Sequence, residues 1–147
     1  MHARVNTSGT PDLSMEDLFN NSTIIHFRYK EEEKTIQVRI VPQGVFYITF
    51  SKTKTISNES VVLKFTQNHL KFEVFGDPDD EKLTQETFLF EDTNDFSIEF
   101  TNTGITFKKL DPTMFSTFIG NFTQFIFMGV SSYNPAKWVI EEGKYVL

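Results

Sequence analysis

The chain contains no cysteine, which excludes disulfide staples, thiolate metal sites and cysteine nucleophiles. Its three histidines, His2, His26 and His69, stand in no metal-ligand spacing such as H-x-H or H-E-x-x-H, so no metal is expected. No glycine has another glycine two residues away, which removes phosphate-cradling loops and dinucleotide fingerprints, and no cofactor is expected. No serine lies in a G-x-S-x-G elbow, and the expectation is that the protein is not an enzyme. Apolar runs fall well short of the roughly 20 residues of a spanning helix, so no membrane partner is expected. The first six residues lack the apolar stretch of a signal peptide. An intracellular, cytoplasmic home is the default reading, and a fragment of a secreted precursor would read the same. Basic surplus is missing too. The net charge of -6 argues against nucleic acid, because phosphate neutralisation needs a basic surface.

What the chain has instead is phenylalanine: 17, against one tryptophan and four tyrosines. Phenylalanine carries no polar handle and belongs in cores and dry interfaces. With 147 residues and 39% of them apolar, the chain is long enough to build a core on that aromatic volume. The Asn-x-Ser/Thr triplets at Asn6, Asn20, Asn21, Asn58 and Asn121 are expected to be unused, given no secretory signal.

Residues 1–22 read as an irregular lead-in, breaker-rich at Asn6-Thr7-Ser8-Gly9-Thr10-Pro11, with one helical turn at Ser14–Phe19. Residues 23–147 read as one domain. From residue 24 the hydrophobic pattern has a period of two, and three hairpins sort both of their strands with a single register. The first pairs Phe27 with Val38, so that His26, Arg28, Gln37 and Arg39 share one polar face. The second turns at Gln67-Asn68 and pairs Phe65 with Leu70, Leu63 with Phe72 and Val61 with Val74. Lys64, Lys71, Glu73 and His69 lie on its other face. The third pairs Phe100 with Ile105 and Ile98 with Phe107, leaving Ser97, Glu99, Thr106 and Lys108 outside. One wet face and one buried face per strand mean antiparallel sheets. Further strands are expected at Val45–Phe50, Thr87–Glu91, Phe125–Val130 and Lys137–Glu141, with Phe125–Val130 central because it is apolar throughout but for Gly129. Residues 110–122 are broken by Pro112 and Gly120 and have no single reading; their Phe115, Phe118 and Phe122 can cover one end of the core. Nine or ten short strands at hairpin spacing give an all-β, two-sheet antiparallel sandwich or jelly roll.

Two polar platforms emerge as candidate binding sites. One is His26, Arg28, Gln37 and Arg39, whose side chains can hydrogen-bond sugar hydroxyls or pair with a carboxylate; against it stands an ordinary solvated face. The other is Lys64, His69 and Lys71, where two lysines oppose each other directly and an acidic partner or Glu73 would relieve the repulsion. Acids cluster at Asp77, Asp79 and Asp80, where soluble turn chemistry competes with a calcium loop. Trp138 alternates with Ile140 and is read as core. Val45–Phe50 is apolar on nearly both sides, so the strand is either sandwiched or leaves an apolar patch for a partner or a second copy.

The C-terminal part resembles a known family. Phe96-Ser97-Ile98-Glu99-Phe100, Gly104-Ile105-Thr106-Phe107, Phe125–Ser132 and Ala136-Lys137-Trp138-Val139-Ile140-Glu141 together look like the farnesoic acid O-methyltransferase-like domain, and Lys71–Gly76 is similar to one of its strands. The likeness covers residues 60–141. It implies a galectin-like β-sandwich that binds rather than catalyses, with Trp138 structural. Asp77-Pro78-Asp79-Asp80 replaces the family's glycine-rich stretch. The expected function is a non-catalytic interaction module that binds a protein partner or itself, with lectin-like carbohydrate binding as the alternative.

Overall fold

A computed structural model of the chain describes residues 2–9, 23–26, 34–41, 45–53, 60–66, 69–74, 82–83, 93–101, 103–109, 114–119, 125 and 127–142. Among the described residues lie twelve strands and no helix: β1 His2–Thr7, β2 Thr23–His26, β3 Lys34–Val41, β4 Phe46–Ser51, β5 Val61–Thr66, β6 His69–Val74, β7 Lys82–Leu83, β8 Asn94–Thr101, β9 Gly104–Lys109, β10 Met114–Ile119, β11 Phe127–Ser132 and β12 Ala136–Glu142. They form two six-stranded antiparallel sheets. The first runs β1-β12-β3-β8-β9-β10, the second β2-β11-β4-β5-β6-β7.

The alternation seen in the sequence is the device that closes the two sheets on each other. The first contributes Ile36, Val38, Ile40, Phe96, Ile98, Phe100, Ile105, Phe107, Trp138 and Ile140 to one contiguous core. The second contributes Phe46, Ile48, Phe50, Val61, Leu63, Phe65, Met128 and Val130. Aromatic rings form the seam. Phe46 stacks on Phe65 at 4.4 Å and meets Trp138 edge-on at 5.5 Å. Phe50 meets Phe100 edge-on at 4.8 Å, and Phe65 lies 5.3 Å from Phe96 and 5.5 Å from Phe107. Contacts of this geometry add about 0.5–1.5 kcal/mol each beyond the area they bury.

The second and third hairpins form in the expected registers: Phe65 opposite Leu70, Leu63 opposite Phe72, Val61 opposite Val74, Phe100 opposite Ile105 and Ile98 opposite Phe107. β11 is interior to its sheet, between β2 and β4, as its apolar run requires. Trp138 is buried in the core.

Three expectations are corrected. The first hairpin does not form: β2 pairs with β11 in the second sheet, while β3 lies between β12 and β8 in the first. Period-two alternation says which face of a strand is buried but not which strand lies beside it, and the register partners of Ile25 and Ile24 are Met128 and Gly129. The lead-in is not wholly irregular, because His2–Thr7 forms an edge strand against β12. Its inward side chains, Ala3, Val5 and Thr7, are too small to announce a strand in the sequence. Residues 114–119 form an edge strand on β9 rather than a loose cover, and Phe118 joins the core. The turn at 14–19, the strand at 87–91 and the acidic cluster Asp77, Asp79 and Asp80 lie outside the described residues.

Candidate functional site

The sandwich has two outer faces, and they differ. On the first sheet most outward side chains are polar, and Arg4, Arg39, Asp95, Lys108 and Lys137 are exposed. Arg39 and Asp95, directly opposite on β3 and β8, form a fork: Nε donates to Oδ1 at 2.7 Å and Nη2 to Oδ2 at 3.2 Å. Both side chains are more than half exposed, at 58% and 57%, so the pair contributes little to stability. Gln37, Ser97, Lys108, Arg4 and Lys137 share this face.

The predicted platform His26, Arg28, Gln37 and Arg39 is therefore not assembled. Gln37 and Arg39 stand two apart on β3, in the first sheet. His26 is on β2, in the second sheet, paired with Phe127. Arg28 lies outside the described residues. The second platform keeps its framework: Lys64 is the register partner of Lys71, and His69 that of Thr66.

The outer face of the second sheet is shielded, in contrast to that of the first. Phe46, Ile48 and Phe50 of β4 point into the core, so Tyr47, Thr49 and Ser51 point away from it. Yet Thr49 and Ser51 are buried and Tyr47 is half-buried. On β5, Val62 is fully buried but stands outside the core cluster, and Lys64 is half-buried. On β11, Phe127 is half-buried and Ser131 is buried. The outward side of β4, which read as either sandwiched or left for a partner, carries buried Thr49 and Ser51 beside half-buried Tyr47.

Register arranges these groups in rows across the sheet. Ser131, Tyr47, Lys64 and Lys71 occupy successive partner positions on β11, β4, β5 and β6. Gly129, Thr49, Val62 and Glu73 form the next row. Phe127 and Ser51 form a third, with Ser60 just before β5. Ser51 donates its hydroxyl to the carbonyl of Thr53 at 2.6 Å. The hydroxyls of Thr49, Ser60 and Ser131 are buried with no hydrogen-bond partner. A buried polar group left unpaired costs about 1–3 kcal/mol, and these three hydroxyls are shut off from solvent in this structure. Burial pushes the Tyr47 phenol above its usual range, and the nearby Lys64 ammonium pulls it partly back.

Sequence reasoning found Lys64 and missed the hydroxyls around it. The signal was there: Tyr47, Thr49 and Ser51 alternate with the core residues of β4, and Ser131 sits off the core side of an apolar strand.

No family model matches the chain, and no curated protein matches it. Solved structures do. The galectin LEC-6 of Caenorhabditis elegans matches with a TM-score of 0.57 at 11% identity, over 96% of this chain and 96% of that one. Chicken galectin 2 matches with a TM-score of 0.59 at 11% identity, over 80% of this chain and 97% of that one. The GH43 protein BlXynB of Bacillus licheniformis matches with a TM-score of 0.63 at 10% identity, over 98% of this chain and 33% of its own length. The protein is thus similar in fold to galectins: an all-β sandwich of two antiparallel sheets.

Proposed function

We propose that this protein is a non-catalytic, lectin-like module that holds a saccharide on the outer face of its second sheet. One observation carries the reading. Tyr47, Lys64 and Phe127 are half-buried and so keep part of their surface open on one outer face, Tyr47 and Lys64 as register partners and Phe127 on the neighbouring strand β11. A sugar presents hydroxyls in the plane of its ring and C–H groups on its faces. Aromatic side chains meet the second kind of surface, and polar groups such as the Tyr47 phenol and the Lys64 ammonium meet the first. The fold supports the reading, since galectins share it.

A protein partner or a second copy is the weaker reading. The apolar residues of β4 that would have offered such a patch, Phe46, Ile48 and Phe50, are all in the core. The large hydrophobic exposed among the described residues is Tyr133, and a single exposed ring does not make an interface.

A glycan array followed by calorimetry on the strongest binder tests the proposal. The expected result is saturable binding with the glycan recovered intact, weakened by Tyr47→Ala and kept by Arg39→Ala on the opposite sheet. Absence of binding to every glycan, or full binding by Tyr47→Ala, would overturn it.

A further inference from the structure

We infer that the outer face of the first sheet, at its β1–β12–β3 end, is a docking surface for an acidic, extended polypeptide segment of another protein. This surface lies on the opposite side of the sandwich from Tyr47, and neither reading depends on the other. Register fixes its layout. Val139 of β12 stands opposite Arg4 of β1 and Arg39 of β3, and Lys137, two positions earlier on β12, stands opposite Asn6 and Val41. Trp138 and Ile140 point into the core, so Lys137 and Val139 point out. Arg4, Asn6, Arg39 and Lys137 are exposed, and Val41 and Val139 are half-buried among them.

The acids on this end of the face are already engaged. Asp95 is held in its fork with Arg39, and Glu141 has an interaction of its own. Among the described residues, neither Arg4 nor Lys137 forms an ion pair. An incoming carboxylate therefore gains their attraction without breaking an existing pair. The spacing selects an extended chain. Diagonal neighbours on antiparallel strands, as Arg4 and Lys137 are, stand about 7–8 Å apart. Alternate side chains of an extended chain point the same way, about 6.4–6.8 Å apart, so acids at every second position reach both cations at once. Val139 and Val41 border that line on its β3 side and give apolar contact. An anionic bilayer fits less well, because lipid-binding clusters run to about four to eight cations. Lys108 shares the face, but it stands on β9, three strands from β12.

Two labelled peptides test this by fluorescence polarisation: one with glutamate at every second position and threonine between, and its glutamine counterpart. At low salt the glutamate peptide is expected to bind about five- to tenfold more tightly, the effect of two exposed ion pairs. The advantage should shrink as salt is raised. It should fall in Lys137→Gln and vanish in the double variant Arg4→Gln, Lys137→Gln. Lys108→Gln, which removes the same charge from the same face, should keep it. Equal binding of the two peptides, or binding of neither, overturns the inference. So does an equal loss in Lys137→Gln and Lys108→Gln, which would make net charge the cause. Sedimentation of the protein with phosphatidylserine vesicles, without a preference for the glutamate peptide, would assign the surface to a membrane instead. Glycan binding by the second sheet is measured separately and stands or falls by itself.

Discussion

Trp138 donates its indole N–H to the hydroxyl of Thr7 at 3.0 Å, across 131 positions of sequence. The same Thr7 hydroxyl lies 2.6 Å from that of Ser132 on β11, and the Ser132 hydroxyl is also 2.5 Å from the carbonyl of Asn134. Thr7 and Trp138 belong to the first sheet and Ser132 to the second, so this buried network ties the two sheets together at one end. Gly9 completes the corner. Its φ is 88°, and a Cβ there would stand 2.9 Å from backbone atoms of Asn134 and Pro135. Only glycine fits such a position without displacing the turn.

Thr7→Val should destabilise the fold by about 1–3 kcal/mol, because it leaves the Trp138 and Ser132 groups short of a partner in a buried site. Thr7→Ser should recover most of the loss. Urea unfolding followed by the fluorescence of the single tryptophan measures both. Equal stabilities for the two variants would mean that the network contributes packing alone.

Phe65→Ala should cost about 3–5 kcal/mol, since Phe65 is fully buried and touches rings of both sheets. Tyr133→Ala, at an exposed position, should fall within about 0.5 kcal/mol of the parent. Midpoints of thermal unfolding separate the two outcomes directly.

Tyr47 makes stability sensitive to alkali. In the unfolded chain a tyrosine ionises near its ordinary value of 10.0, and in the folded protein burial holds Tyr47 above it. A raised folded value favours the folded state while the phenol keeps its proton. That contribution is fully present below the ordinary tyrosine range and is lost as pH climbs through the folded value. Tyr47→Phe should flatten this part of the stability profile. The phenolate absorbance of Tyr47 should also rise at higher pH than that of the denatured protein.

Arg39 and Asp95 should couple weakly. A double-mutant cycle to alanine is expected to give about 0.2–1 kcal/mol, decreasing as salt is added. A coupling several times larger would mean that the exposed fork is held by more than its own two charges.

Reading strands from sequence worked where the turn is short. Phe65 and Leu70 are five positions apart, flanking Thr66 and His69, so the short turn leaves one register that puts them opposite each other, and the structure adopts it. Phe100 and Ile105 behave the same way. Ile25 and Ile40, opposite each other in the register expected for the first hairpin, did not, because β2 and β3 lie in different sheets. Their segments are apolar at alternate positions, but so are β8, β11 and β12, and which partner wins depends on the whole sandwich rather than on nearby residues. The candidate site shows the same divide. Lys64 and Lys71 were placed because one hairpin holds both. Arg39 was grouped with His26 through a pairing that the sandwich does not make. Tyr47 and Ser131 share a row only because β4 and β11, some eighty residues apart in the chain, become neighbours.

Amide chemical-shift mapping during titration with the strongest-binding glycan reports directly on which face is occupied. The account predicts saturable shifts concentrated on β4, β5 and β11 around Tyr47, Thr49, Lys64 and Ser131, with the outer face of β3 and β8 unmoved. Shifts centred on Gln37, Arg39 and Asp95, with those around Tyr47 unchanged, would contradict it.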